Sequence, residues 1–187
     1  MTAPSQLAAA AKLLYDAQRR ATPIAPLAES YPDLDVAQAY RVQRLNLGRH
    51  IEKGGVLRGH KIGLTSAPMR ELLGVDEPDF GYLLDAMVLP DGAEVAVSAF
   101  CAPRVEPQVA FLIRAPLHGP AVTVDEVMAA TEALAPALEI VDSRIADWRI
   151  TLPDTIADNA SAAAVVVGYG CRSRWHRRCR KPAPPCW

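Results

Sequence analysis

The sequence predicts an α+β protein, and three observations carry that prediction. Apolar side chains recur at helical spacing over residues 1–55. From Val56 the pattern changes to short alternating runs broken by turn signals. Beyond Gly170 apolar periodicity disappears altogether. The chain therefore divides into an N-terminal helical region (1–55), a β-rich domain (56–170) and a basic tail (171–187).

Ser5 caps a first helix whose Leu7, Ala10, Ala11, Leu14 and Ala17 form one stripe, ending near Arg20 before Thr22 and Pro23. Pro23, Pro26 and Pro32 mark an irregular connection. Asp35 caps a second helix with Val36, Tyr40, Leu47 and Ile51 on one face, and Gly54 and Gly55 stop it. A strand is expected over 56–64, then a short helix from Ser66 to Leu73 closed by Gly74. Strands over 81–89 and 93–97 flank the turn Pro90-Asp91-Gly92. The strand over 104–114 sets Val105, Pro107, Val109, Phe111 and Ile113 on one face, with Glu106, Gln108, Ala110 and Leu112 on the other. Pro107 lacks a ladder donor, which places an edge or a bulge there. Thr123 and Glu126 form a capping box for a helix, and strands over 135–141 and 162–167 follow.

The 187 residues suffice for one domain with a true core. Net charge is −1, yet the last 17 residues carry six Lys and Arg and no acid, leaving 14 basic against 21 acidic residues elsewhere. An acidic body argues against nucleic-acid binding. No apolar run spans a bilayer and no secretion signal is visible, so a cytoplasmic protein is expected. Three of the four cysteines lie in the tail, and Cys101 alone in the body fits a reducing compartment. The tail reads as an out-of-frame product of GC-rich coding sequence. Its Cys171, His176, Cys179 and Cys186 do not follow a common zinc spacing.

Glu106 and Glu139 stand in separate apolar segments. Burying a carboxylate is costly unless something compensates its charge, and a hard cation is a common compensation. Gln108 leaves the same strand face as Glu106. Glu106, Gln108 and Glu139 would offer one wall of an octahedral Mg2+ or Mn2+ site, and a solvated strand face remains the competing reading. Lys61, between Gly59 and Gly63, is either an exposed strand lysine or a desolvated one that orients an anion or shuttles a proton. Asp76, Glu77 and Asp79 form an acidic loop or a plain polar turn. Asp154, Asp158, Asn159 and Ser161 make a polar cluster followed by small residues that allow close backbone approach. Arg144 and Asp147 read as a structural ion pair.

Several long motifs occur in one order: Gly59-His60-Lys61-Ile62-Gly63-Leu64-Thr65-Ser66, Gly74-Val75-Asp76-Glu77-Pro78-Asp79-Phe80-Gly81, Pro103-Arg104-Val105-Glu106, the segment 136–144, and Asp154-Thr155-Ile156-Ala157-Asp158-Asn159-Ala160-Ser161. Through them the chain, to about Gly168, resembles the hydratase and decarboxylase branch of the fumarylacetoacetate hydrolase superfamily. The resemblance implies a small helical region followed by a strongly twisted, mixed β core, here incomplete at the C-terminus. It implies a divalent metal held at Glu106, position 108 and Glu139, with Gln108 standing where the family has a second glutamate. It implies Lys61 and Asp79 as catalytic and Ser161 as substrate-binding. The implied reaction is hydration of 2-hydroxypenta-2,4-dienoate to 4-hydroxy-2-oxopentanoate in meta-cleavage catabolism of aromatic rings. Decarboxylation of 4-oxalocrotonate is the nearest alternative, and a catalytically impaired product is another. The implied partners are a small 2-hydroxy-dienoate or 2-oxo acid substrate, further copies of the chain and other meta-cleavage enzymes, without nucleic acid or membrane.

Overall fold

In the computed structural model residues 2–168 and 171–172 are described. His176, Cys179 and Cys186, and with them the zinc and basic-arm readings of the tail, lie outside the described residues. The helices are α1 (Pro4–Arg20), α2 (Leu27–Ser30), α3 (Val36–Glu52), α4 (Ala67–Leu73), α5 (Val124–Ala130) and α6 (Leu152–Ala157). The strands are β1 (Leu57–Gly63), β2 (Asp79–Leu84), β3 (Val88–Leu89), β4 (Pro103–Ile113), β5 (Thr131–Asp142), β6 (Ala162–Val167) and β7 (Cys171–Arg172). No helix among the described residues is long and apolar enough to cross a membrane.

Contacts divide the chain into two units. The first joins Met1–Glu106 with Glu139–Val166, and the second joins Pro107–Leu138 with the chain from Val167 onward. The first unit holds the helical core. Leu7, Ala10, Ala11 and Leu14 of α1 pack with Ala39 and Val42 of α3, Leu27 of α2, Ile156 and Ala157 of α6, and Ile145. The α1 stripe read from spacing is the buried one. For α3 the buried face is instead Gln38, Ala39, Val42, Gln43 and Asn46, and Ile51 is exposed. Two of its glutamines are buried because they bind main chain. Gln43 Nε2 donates to Phe80 O (2.9 Å) and to Ile156 O (3.0 Å), tying α3 to β2 and to α6 at once.

Helix α6 lies where sequence reading expected only a polar loop. Thr151 caps it by accepting from the Asp154 amide, Pro153 sits in its first turn, and Asp154 returns the box. Asp154 is fully buried and also accepts from the Leu27 amide at 2.8 Å, so its carboxylate joins two helix starts. The segment 93–97 expected as a strand forms none, because Pro90-Asp91-Gly92 leads into coil and then a 3-10 turn at Val97–Ala99. One 3-10 turn, Asp85–Met87, interrupts the other expected run and separates β2 from β3.

β1 and β2 form an antiparallel ribbon with Lys61 opposite Gly81 and Gly63 opposite Asp79. The larger sheet has the order β3-β6-β5-β4, with β7 also paired to β5. β3 runs parallel to β6, Val88 facing Val165. β4 is an edge strand of that order, as Pro107 requires. Its faces are inverted relative to an ordinary half-buried strand. Val105, Val109, Phe111 and Ile113 are exposed, while Gln108 and Ala110 on the other face are half-buried. Pro107–Leu138, with α5 and the first part of β5, forms most of what is described of the second unit.

Ile145 tests the helical core. It is 0% exposed, and its neighbour Arg144 receives the Ile24 amide bond that closes the connection after α1. Ile145→Ala should cost about 2–5 kcal/mol in urea unfolding, the usual range for deleting a buried Ile side chain.

Candidate active site

The β1–β2 ribbon brings the first two candidate residues together. Lys61 and Gly63 share one face of β1, and Asp79 lies opposite Gly63. A Cβ on Gly63 would run into Asp79 Oδ1 and come within 3.2 Å of Lys61 Nζ. The missing side chain is therefore the space in which the acid and the ammonium meet. Asp79 is 3% exposed, and its Oδ1 has no hydrogen-bond partner among the described residues. Its Oδ2 accepts from Thr155 Oγ1 of α6 at 3.5 Å, and Thr155 Oγ1 stands 3.5 Å from Ser161 Oγ.

Glu139 enters from β5. It is 3% exposed, with Oε1 3.6 Å from Lys61 Nζ. Burial pushes its carboxyl above the usual range, Lys61 pulls it down, and the negative charges of Glu106 and Asp79 push it up. Asp79 is raised in the same way, by burial first, with Lys61 opposing. Lys61, Asp79, Glu139 and Glu106 thus share one electrostatic neighbourhood. Glu106, expected to be buried among apolar neighbours, is exposed instead, because Arg104, Val105 and Pro107 beside it are exposed as well and both faces of β4 are open there. Gln108 belongs to the second unit. Among the described residues, no group of three or more His, Cys, Asp or Glu side chains is placed to hold a metal ion.

Ser161 is presented by an unusual turn. Asn159, Ala160 and Ser161 have φ of 58°, 51° and 55°, three consecutive non-glycine residues in the left-handed region. Such conformations cost about 1–2 kcal/mol per residue and persist where surrounding structure imposes them. Two sets of bonds impose this one. Asn159 behaves like a strand neighbour of β2: its Oδ1 accepts from the Tyr82 amide (2.8 Å) and its Nδ2 donates to Tyr82 O (3.0 Å). Gly81 makes that approach possible, since a Cβ there would collide with Asn159 O. Behind the turn, Arg144 pairs with Asp158, both 3% exposed. Asp158, fourteen residues on, is the true ion-pair partner of Arg144 in place of Asp147, with Nε 2.5 Å from Oδ1. Burial pushes the Asp158 carboxyl up to about 6, while Arg144 pulls it down. On the face of β2 opposite Asp79, Tyr82 lines a cavity of about 200 Å³ with Gln18, His50, Met87 and Arg144.

Thr155, Arg144, Gly63 and Gly81 are the contributors that sequence reading did not connect to one another. The polar cluster Asp154, Asp158, Asn159 and Ser161 marks this segment in the sequence without showing that Thr155 within it reaches Asp79.

No protein-family model matches the chain. The chain is 45% identical over 157 residues to 2-hydroxyhexa-2,4-dienoate hydratase of Comamonas testosteroni, covering 83% of this chain and 60% of that one. It is 43% identical over 156 residues to 2-hydroxypent-2,4-dienoate hydratase of Pseudomonas putida, covering 83% of this chain and 70% of the relative. The chain belongs to the hydratase and decarboxylase branch of the fumarylacetoacetate hydrolase superfamily. A solved structure in this branch, 4-oxalocrotonate decarboxylase from Pseudomonas putida G7 complexed with magnesium and adipate, superposes with a TM-score of 0.89 at 30% identity. That match covers 92% of this chain and 66% of the decarboxylase. The superfamily fold is thus present, although the chain spans only about three fifths of the first curated relatives it matches.

Two outcomes check the geometry of the ribbon. Gly63→Ala should destabilise the chain by about 1–3 kcal/mol in urea unfolding, as overpacking does, because its methyl displaces the Asp79 carboxylate. The second concerns pH. An unfolded Asp titrates near 3.8 and burial raises the folded value of Asp79. The folded chain then binds the proton more tightly, so this contribution is fully present below the unfolded value and is lost as pH rises through the folded one. Asp79→Asn should therefore raise the unfolding midpoint more at pH 7 than at pH 4.

Proposed function

We propose that the site serves a hydratase that adds water to 2-hydroxypenta-2,4-dienoate to give 4-hydroxy-2-oxopentanoate, as one step of meta-cleavage catabolism. The observation that carries this reading is the meeting of the buried carboxyls of Asp79 and Glu139 with the ammonium of Lys61. Such a pocket pairs oxygen donors for a cation with a positive group for an anionic substrate. The donor chemistry fits a hard divalent ion such as Mg2+ or Mn2+, with Glu106 and Glu139 offering carboxylates and Gln108 an amide oxygen. The glutamine keeps an oxygen ligand but removes one negative charge.

When bound, the ion supplies Lewis-acid polarisation of the substrate carboxylate and 2-oxygen. The chain's own residues do the rest. Lys61 Nζ holds the anionic end of the substrate within reach of Glu139. Asp79, its carboxyl raised by burial, keeps a proton closer to neutrality than a free aspartate and exchanges it through Oδ1. Moving the proton of the 2-hydroxyl to C5 turns the dienol into an α,β-unsaturated ketone, and water then adds hydroxide at C4 and a proton at C3. Ser161 Oγ, beside Thr155 Oγ1, orients the substrate.

Decarboxylation of 4-oxalocrotonate is the second reading, favoured by the superposition on that decarboxylase. The hydratase reading is preferred because the hydratases share 45% identity with this chain against 30% for the decarboxylase. A catalytically impaired product is the third reading, favoured by Gln108 and by the partial coverage of the relatives. The protein is read as a cytoplasmic homo-oligomer that works alongside other meta-cleavage enzymes.

Dienoate consumption with Mg2+ and with Mn2+, followed beside CO2 release from 4-oxalocrotonate, separates the first two readings. Lys61→Ala and Glu139→Gln should each lower hydration by at least about 10²-fold, and undiminished turnover would remove those roles. Gln108→Glu should tighten Mg2+ binding by about tenfold in calorimetry, since charge count tunes such sites. Equal affinity of the two forms would remove position 108 from the ligand set.

A further inference from the structure

We infer that Arg144 is a positioning residue, clamping the left-handed turn Asn159–Ser161 at both ends and so fixing where the Ser161 hydroxyl stands. The inference rests on the substrate-side role proposed for Ser161. Four donations leave Arg144. Its amide donates to Asp158 Oδ2 (2.8 Å) and Nε to Asp158 Oδ1 (2.5 Å). The remaining two guanidinium nitrogens go to main-chain carbonyls, one to Asp158 O at 2.5 Å and the other to Ala162 O at 3.3 Å. Residues 158 and 162 are the two that bracket the turn.

An ion pair kept for charge alone would end at the carboxylate. Here half of the donations bypass it and grip the backbone before and after the strained residues. The planar fork of a guanidinium spans those acceptors, whereas the three donors of an ammonium radiate from one atom. Buried ion pairs are also seldom retained for stability, because well-packed apolar residues replace them at little or no loss. What apolar residues cannot do is hold three successive left-handed residues in one conformation. On the other side Asn159 is stitched to Tyr82, so the turn is held from front and back, and Ser161 Oγ is left beside Thr155, whose hydroxyl also reaches Asp79.

The test uses the full chain with Arg144→Lys, which keeps the charge and loses the span, and Asp158→Asn, which keeps the shape and loses the charge. The first readout is amide exchange, because the Ser161 amide donates to Asp158 O at 3.0 Å within the clamp. Exchange at Ser161 should accelerate by about tenfold in both variants while the amides of α1 and α3 keep their protection. Unchanged exchange at Ser161, or equal acceleration across the chain, overturns the inference. The second readout is kinetic. Arg144→Lys should lower kcat by about tenfold with KM nearly unchanged, and should add nothing in a Ser161→Ala background, as expected of two residues acting as one unit. Additive losses overturn it. A parent chain without turnover would remove the hydratase reading, and the exchange measurement would still decide the clamp.

Discussion

The ammonium of Lys61 meets two buried carboxylates, Asp79 and Glu139, and the rest of the site is built around that meeting. A unit pair near 4 Å gains about 4 kcal/mol at an effective dielectric of 20, while stripping each ion of water costs several kcal/mol. Burial raises the carboxyls of both Asp79 and Glu139, and Lys61 opposes the rise at each. The fold tolerates this because the ribbon, β5 and α6 are fixed by bonds that do not involve the charges. Gln43 ties α3 to β2 and α6, and Asp154 joins α2 to the start of α6. The two buried carboxyls are therefore held in place instead of relaxing outward, which is the condition under which a proton or a hard cation gains most from binding.

The same scaffold carries strain as well as charge. Residues 159–161 occupy a conformation that the chain would not choose locally, and Tyr82 on one side with Arg144 on the other enforce it. The strained turn and the buried carboxyl of Asp79 are joined through Thr155. Both are costs taken in the first unit, whose helical core of Leu, Ile, Val and Ala provides the stability to carry them.

Much of this was legible in the chain, and the failures have physical causes. Periodicity placed α1, α3, β4 and β6 closely, since each has strong patterning and a clear boundary. It misjudged the buried face of α3, because Gln38 and Gln43 are buried to bind main chain, Asn46 is buried accepting from Arg49, and none of them carries a hydrophobic signal. It missed α6, whose Thr151 and Asp154 make a capping box with aspartate where glutamate is expected. Arg144 reads from the sequence as a partner of Asp147, three residues on, whereas the fold offers it an acid fourteen residues away. Lys61, Asp79, Glu139 and Ser161 were legible as a group only through the order of long motifs. Spacing alone left each of them with an ordinary alternative.

Two of the three glycines of the ribbon have a consequence for how the site tolerates change. Gly63 and Gly81 contribute no functional group, yet each occupies the one spot where a methyl would strike the machinery, Asp79 at one and the Asn159 turn at the other. Substitution along β1 and β2 is thus constrained at two positions that hold nothing but hydrogen, while Gly59 in the same ribbon has open space around it. The permitted evolutionary paths of the ribbon are narrowed by its empty space as well as by its reactive atoms.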